Sequence, residues 1–441
     1  MEALRFDLRW KVALDLPIDH PGFHPTSLVK FRGRWLLDGK ERVVFERWLE
    51  LAADLGLLDG SVEQIVDSTP MLGAAAVQDT VTLVRVAVRR LLDAVAAVET
   101  TAGRELAAGL DFDCARPREK PAADWQDRAA REAMLVEVAS DALRALRAVE
   151  HDDWLLADAA VGEAVRLLRD IVGQEFDTGE GDQLRPRHGR QSRQIISAHD
   201  PEMRHGRKTS ARRFTGYKLH AAAAADAPIV TAISVSPGNE HDGHHAAGLV
   251  EQQPESRRPS RLIGDTAYGN VEVGEQLEQR QVGVLARLHS TASDADGAIP
   301  KDEFHIDLDT DAVTCPQGKT AKIYQPRRSQ PAATGQRVAR FSATDCHPCP
   351  LRAHCAPGGR RQIRINRRED LRQAAQRQLA DPAEREHLKR TRPRIERLLG
   401  LIVYRYHART SRYTGTRKTE LQAVWTAVLV NLHPIGAALR A

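Results

Sequence analysis

Two aspartates stand at the ends of β-prone runs. Asp67 closes Gln64-Ile65-Val66 ahead of Ser68-Thr69-Pro70, and Asp265 closes Arg261-Leu262-Ile263-Gly264 ahead of Thr266-Ala267-Tyr268-Gly269. If the two strands are parallel neighbours, both carboxylates lie at one sheet edge, the edge where α/β sheets bind ligands. Two carboxylates in that position can bridge a pair of hard cations. Magnesium takes oxygen ligands in octahedral geometry and keeps positions for water and phosphate oxygens. Two such ions about 3.5–4 Å apart activate a water or a 3′-hydroxyl and stabilise the leaving oxygen of a phosphodiester. Taken singly, each aspartate also has a plain structural reading as a turn former or helix cap.

The elements that must position these acids follow from periodicity. Residues 1–60 read as helical, and Val43–Leu57 carries apolar residues every three or four positions. A short strand follows at Gln64, stopping at Asp67. Three helical segments come next, Val81–Val98, Glu132–Val149 and Leu155–Val172, interrupted around Pro117–Pro121. The period then changes to that of strands at Gln194–Ala198, Tyr217–Ala224 and Ile229–Ser236, which predicts an antiparallel meander. A helix at His245–Gln253, a buried strand Arg261–Asp265, a helix Val271–Gln279 and a strand Val282–Leu288 complete the unit. Residues 298–366 read as a β-rich insertion, and from Leu371 the chain is helical, with an apolar face through Leu388, Ile395, Leu398, Leu399, Ile402 and Val403. Strand, hairpin, strand, helix and strand, with an Asp after the first and fourth strands, is the ribonuclease-H-like topology. The expected fold is therefore an α/β mixed sheet flanked by helices, with a helical insertion and a small cysteine-containing β insertion. No internal repeat or heptad seam is present.

At 441 residues, with 42% apolar and 28% charged residues, the chain is too long for a single small module and rich enough in apolar residues to bury a core. Apolar stretches such as Val424–Leu432 fall short of the roughly 18–20 residues of a membrane span, and Met1–Asp7 lacks a secretory pattern, so a cytoplasmic protein is expected. The net charge of +4 hides segregation: residues 184–218 sum to +8 and residues 385–418 to +9. Such blocks suit a polyanion, most often nucleic acid, although solvated faces would look the same. The first block contains Arg204, Arg207, Lys208, Arg212, Arg213 and Lys218; the second contains Arg392, Arg405, Arg409, Arg412 and Lys418. These cations are expected to hold DNA phosphates with strong salt dependence and little base readout. Cys315, Cys346, Cys349 and Cys355, spaced C-x30-C-x2-C-x5-C, could hold a structural tetrahedral zinc or remain four reduced thiols. Cys114 stands apart and reads as a buried thiol. Asp200, just before the basic turn, could assist the metals or simply form an Asp-Pro turn.

Several pieces together resemble the bacterial insertion-sequence transposases of the DDE type. They are Val66-Asp67-Ser68-Thr69, Gly216-Tyr217-Lys218-Leu219-His220, Pro237-Gly238-Asn239-Glu240-His241-Asp242, Gly264-Asp265-Thr266-Ala267-Tyr268-Gly269 and Arg392-Pro393-Arg394-Ile395-Glu396. The resemblance implies a catalytic triad of Asp67, Asp265 and Glu396 holding two Mg²⁺, for which Mn²⁺ can substitute. Glu384 is a competing acid for the third place. Arg392 sits four residues before Glu396, as in the family's Tyr-x2-Arg-x3-Glu pattern, on the same helix face. Lys389 stands where that pattern has Tyr, and Val403 where a related pattern has Lys. The family also usually carries a longer amino-terminal portion, so a shortened copy is expected.

The implied activity is cleavage and strand transfer at insertion-sequence ends, on DNA with terminal inverted repeats and on target DNA, by a homodimer assembled on DNA. The alternatives are a non-enzymatic DNA-binding remnant and a nuclease without strand transfer. The expected organisation is an end-binding helical region at 1–60, the first core strand at 61–76, a helical insertion at 77–190, catalytic core at 191–297, the cysteine-containing β insertion at 298–366 and the C-terminal core helices at 367–441.

Overall fold

The computed structural model describes residues 2–59, 63–113, 121–178, 184–189, 191, 193–209, 211–289, 299–325 and 337–440. Cys114 lies outside them. The chain begins with short helical turns, then α1 (Pro25–Leu37) and α2 (Val43–Asp54), and enters the ten-residue strand β1 (Glu63–Leu72). Helices α3 (Thr80–Val98), α4 (Arg128–Val149) and α5 (Ala159–Glu175) follow. Each starts at an aspartate whose carboxylate accepts a first-turn backbone N–H: Asp79, Asp127 and Asp158. The Asp158 cap explains why the apolar run from Leu155 is not one helix: a separate turn, Asp153–Leu156, precedes it. The three helices bury Leu83, Leu91, Val138, Leu146, Leu168 and Ile171 against one another.

Next come β2 (Arg204–Arg207), β3 (Arg213–Ala224), β4 (Val230–Pro237), the short α6 (Ala246–Glu251), β5 (Arg261–Gly264), α7 (Val271–Glu278) and β6 (Gly283–Ala286). With β1 they form one mixed sheet in the order β2-β3-β1-β5-β6, with β4 also paired to β3. The pairings among β2, β3, β4 and β1 are antiparallel, and those of β1 with β5 and β5 with β6 are parallel. A second, five-stranded antiparallel sheet holds β7 (His305–Asp307), β8 (Ala312–Thr314), β9 (Thr320–Tyr324), β10 (Arg337–Arg340) and β11 (Gln362–Ile365). The chain ends in α8 (Glu369–Ala380), α9 (Pro382–Thr391), α10 (Pro393–Gly400), a wider turn at Leu401–Arg405, and α11 (Thr416–Ala438). The protein is a mixed α/β structure.

Strand alternation divides the main sheet into two cores. Ile65, Leu219, Ala221, Ala223 and Ile233 pack under Ile395, Leu398 and Leu399 of α10 and Val424 and Ala427 of α11. On the other face Val66, Ala222, Ala232 and Leu262 meet Leu249 of α6 and Val273 and Leu277 of α7. By length and composition α11 could cross a membrane. In this fold it is a core helix, and the buried Asn431 side chain bonds both the N–H and the carbonyl of Val230 at 2.8 Å.

Two expectations need correction. Gln194–Ala198 is extended but joins no sheet. The side chains of Gln174 and Gln78 supply the hydrogen bonds a neighbouring strand would: Ile195 N–H donates to Gln174 Oε1 and Ala198 N–H to Gln78 Oε1. The strand that precedes the long β3 is instead β2, drawn from the segment read as a basic turn. Second, β1 does not stop at Asp67, because β3 pairs with it as far as Leu72↔Gly216.

Gly216 marks that crowded crossing. Its φ is +135°, and a Cβ there would collide with Gly73 N and Met71 O. The expected outcome for Gly216→Ala is a loss of about 2 kcal/mol or more in thermal melting. Gly173→Ala, at an α5 position with open space around it, should be neutral or slightly stabilising.

Candidate active site

The register of β1 on β5 sets the site. Their last parallel pair is Ile65↔Ile263, so Asp67 and Asp265 each lie two residues beyond it, where the strands part. Both side chains are half-buried. Asp67 Oδ1 accepts the Ser68 N–H at 2.7 Å, and Asp265 Oδ1 accepts the Ala267 N–H at 2.8 Å. Burial pushes the Asp67 carboxyl up to about 6; the Ser68 N–H opposes this, Asp265 adds to it, Arg392 opposes it and Asp242 adds to it. The Tyr268 hydroxyl, reached by Asp242, Asp67 and Asp265, is buried and has no hydrogen-bond partner among the described residues. Gly264 makes room for its ring, since a Cβ there would stand 2.7 Å from Tyr268 Cδ2.

The other acids separate by place. Glu384 is bound to Arg261 at 2.8 Å, and Arg261 and His387 also hold Glu63, at the opposite end of β1 and β5 from Asp67 and Asp265. That pairing removes Glu384 as a third site acid. Glu396 lies on α10, 57% exposed, with Oε1 3.4 Å from the Arg392 guanidinium. Arg392 pairs with Glu396 and also acts electrostatically on Asp67. Asp200 is fully buried and accepts hydrogen bonds from the Tyr217 hydroxyl at 2.5 Å and from Gly415 N–H at 3.2 Å. It ties the loop before α11 to β3 instead of facing the aspartate pair. Nothing in the sequence pattern assigns Asp242 a role; its only signal is the Asn-Glu-His-Asp run after Pro237-Gly238.

Both basic blocks gather at the far end of β1. Leu72 pairs with Gly216, next to the β2–β3 hairpin, and it exchanges backbone hydrogen bonds with Arg409 and Ser411. On the hairpin Arg207, Lys208, Arg212 and Arg213 are exposed, as are Arg405, Arg412 and Lys418 in the second block. Arg204 is turned inward onto the carbonyls of Pro201 and Met203, Arg409 donates to the Pro70 carbonyl, and Lys218 is paired with Asp242 at 2.7 Å. A cleft of about 760 Å³ runs along Gln191, Arg207, Arg213, Phe214, Lys218 and His241.

The four clustered cysteines line one pocket in the second sheet, with Phe304 and Phe341. Burial raises the Cys355 thiol; Arg361 opposes this, while the other three cysteines add to it. Among the described residues, no three His, Cys, Asp or Glu side chains stand close enough to hold one metal ion as placed. Asp67 and Asp265 nevertheless suit a hard divalent cation, being two oxygen donors in a poorly solvated place whose charges oppose each other, beside an orphaned hydroxyl.

Residues 314–435 match the family described as Transposase DDE domain. The match takes in the cysteine pocket, Arg392 and Glu396; Asp67, Asp242 and Asp265 lie outside it. Over that segment, less than a third of the chain, the protein is similar to DDE-type transposases. Neither the curated proteins nor the solved structures contain a match to the chain.

A raised carboxyl pKa sets the sign of a pH effect. Above pH 6 the ionised Asp67 costs stability, and the cost is relieved as pH falls through about 6 towards the ordinary value of 3.8. Asp67→Asn is therefore expected to melt higher than the parent at pH 8 in chelator, by on the order of 2 kcal/mol, with the difference vanishing near pH 4. A lower melting point for the variant at pH 8 would contradict the electrostatic account.

Proposed function

We propose that the protein cleaves DNA at insertion-sequence ends and joins the freed 3′-ends to target DNA, using Asp67 and Asp265 as its cation-holding pair. The observation that carries this reading is the placement of two opposed carboxylates where parallel strands part, with both basic blocks at the same end of the sheet. The strand order β4-β3-β1-β5-β6, antiparallel through β1 and parallel beyond it, supports a ribonuclease-H-like core made of 61–76, 191–297 and 367–441.

Divalent cations, Mg²⁺ or Mn²⁺, would supply activation of a water or 3′-hydroxyl and neutralisation of the leaving oxygen. The residues of the chain do the positioning. Arg207, Lys208, Arg212 and Arg213 on the hairpin, with Arg405, Arg412 and Lys418 beyond α10, hold the phosphate backbone beside the acids. Arg392, paired with Glu396 and acting electrostatically on Asp67, is the natural contact for the reacting phosphate, and its transfer to that phosphate releases Glu396 to complete the triad. The occupied state is a homodimer on DNA bearing terminal inverted repeats, in the cytoplasm.

The test is incubation of the full chain with supercoiled DNA carrying the regions that flank its own gene, with Mg²⁺. Nicks at the 3′-ends and joined products are expected, both lost in Asp265→Asn. Binding without cleavage would make the protein a DNA-binding remnant, and cleavage without joining would make it a nuclease.

The shared pocket of Cys315, Cys346, Cys349 and Cys355 supports a structural zinc in the second sheet. About one zinc per chain is then expected by atomic absorption after purification without chelator, released by thiol modification. Four freely titratable thiols and no zinc would remove this part of the reading.

A further inference from the structure

Asp242 is the carboxylate near the aspartate pair that the reading above leaves unused. The loop that carries it lies directly on the turn following Asp265. A Cβ on Gly243 would stand 2.7 Å from the Ala267 carbonyl oxygen and 2.7 Å from Val273 Cγ2, so only a glycine next to Asp242 permits this approach. The side chain is aimed by Lys218, whose Nζ lies 2.7 Å from Asp242 Oδ1 and 2.7 Å from the Glu240 carbonyl oxygen. Lys218 extends from β3, the strand paired with β1 on the side away from β5. Both partners are largely enclosed, with 14% and 22% of their side chains exposed.

A second observation points to a ligand at the same place. The Tyr268 side chain is 1% exposed, and its hydroxyl has Asp242, Asp67 and Asp265 as charged neighbours, yet it makes no hydrogen bond among the described residues. A buried hydroxyl facing three carboxylates at more than hydrogen-bonding distance is suited to a polar guest standing between them. Since, among the described residues, no three acids close on one ion as placed, a carboxylate there acts through a water, and magnesium characteristically keeps several of its waters.

We propose that Asp242, clamped by Lys218, is the third carboxylate of the cation site in the DNA-free protein. Together with the Tyr268 hydroxyl, it would hold the water shell of a divalent cation bound to Asp67 and Asp265. Asp242 is a positioning residue in this arrangement. The inference rests on the reading that Asp67 and Asp265 bind a cation, and Glu396 takes no part until DNA is present.

The experiment is a titration of the full chain with Mn²⁺ alone, without DNA, following free Mn²⁺ by electron paramagnetic resonance. Asp242→Asn is expected to weaken binding about tenfold, with Asp242→Glu recovering most of the loss and Tyr268→Phe weakening it by a smaller factor. Glu396→Gln should bind as the parent does, and Asp67→Asn and Asp265→Asn should lose binding. Should Asp242→Asn fail to fold, Lys218→Met, which leaves the carboxylate but frees its clamp, is read in its place. Parental affinity in the Asp242 variant, or in the Lys218 variant that replaces it, overturns the inference while the aspartate-pair reading stands, provided Asp67→Asn has lost binding. Parental affinity in Asp67→Asn and Asp265→Asn overturns the aspartate-pair reading itself. Loss in Glu396→Gln with retention in Asp242→Asn assigns the third place to Glu396.

Discussion

The structure turns on the burial of the Asp67 carboxylate beside a second one, Asp265, where solvent screens it poorly. Asp67 and Asp265 arrive side by side because β1 and β5 are parallel and in register up to Ile65↔Ile263, and the strands separate at the residues that follow. Charges a few ångströms apart interact more strongly in a protein interior than in water. The fold offsets part of that cost with local N–H donors at Ser68 and Ala267 and with the Arg392 guanidinium. A half-buried carboxylate left only partly compensated beside another is a poor device for stability. Sites of this kind are often where a protein gives up stability for activity.

The remaining architecture gathers positive charge at one end of the strand that carries Asp67. Helices α10 and α11 cover the sheet face beneath β1 and β3, and the segment between them is stitched by backbone hydrogen bonds to Leu72 at the end of β1. The β2–β3 hairpin starts from Gly216, opposite the same residue. Two positive segments nearly two hundred residues apart in the chain thereby converge on one end of one strand. Such a concentration of like charge makes that end of the sheet the positive one. Asp200 strengthens the convergence by joining the loop before α11 to Tyr217.

Much of this was legible in sequence. The apolar face through Leu388, Ile395, Leu398, Leu399, Ile402 and Val403 is buried as its spacing requires. The alternation in β3 and β4 placed the long antiparallel pair, and Asp67 and Asp265 were recognisable as acids following β-prone runs. Gln194–Ala198 misled because its apolar residues are buried as a strand's would be, while its Ile195 and Ala198 N–H groups donate to glutamine side chains, which leave no periodic trace. The extent of β1 misled because Thr69 and Pro70 are turn formers locally, and the partner that overrides them is some 150 residues away.

Chain order and local chemistry determined that this protein has a mixed α/β core, two aspartates following β-prone runs, two cationic blocks and a compact group of cysteines, because periodicity and composition act over neighbouring residues. Which acids face one another was decided only in three dimensions. Glu384 and Glu396 are equivalent as letters in a helical stretch, yet one is consumed by Arg261 at the far end of the strands and the other is held by Arg392 at the rim of the site. Asp242 enters the cluster because Gly243 can lie against Ala267 and Lys218 can reach across from the neighbouring strand. Contacts of that sort depend on sheet register and on the close approach of backbones, and these are properties of the packed chain rather than of any segment within it.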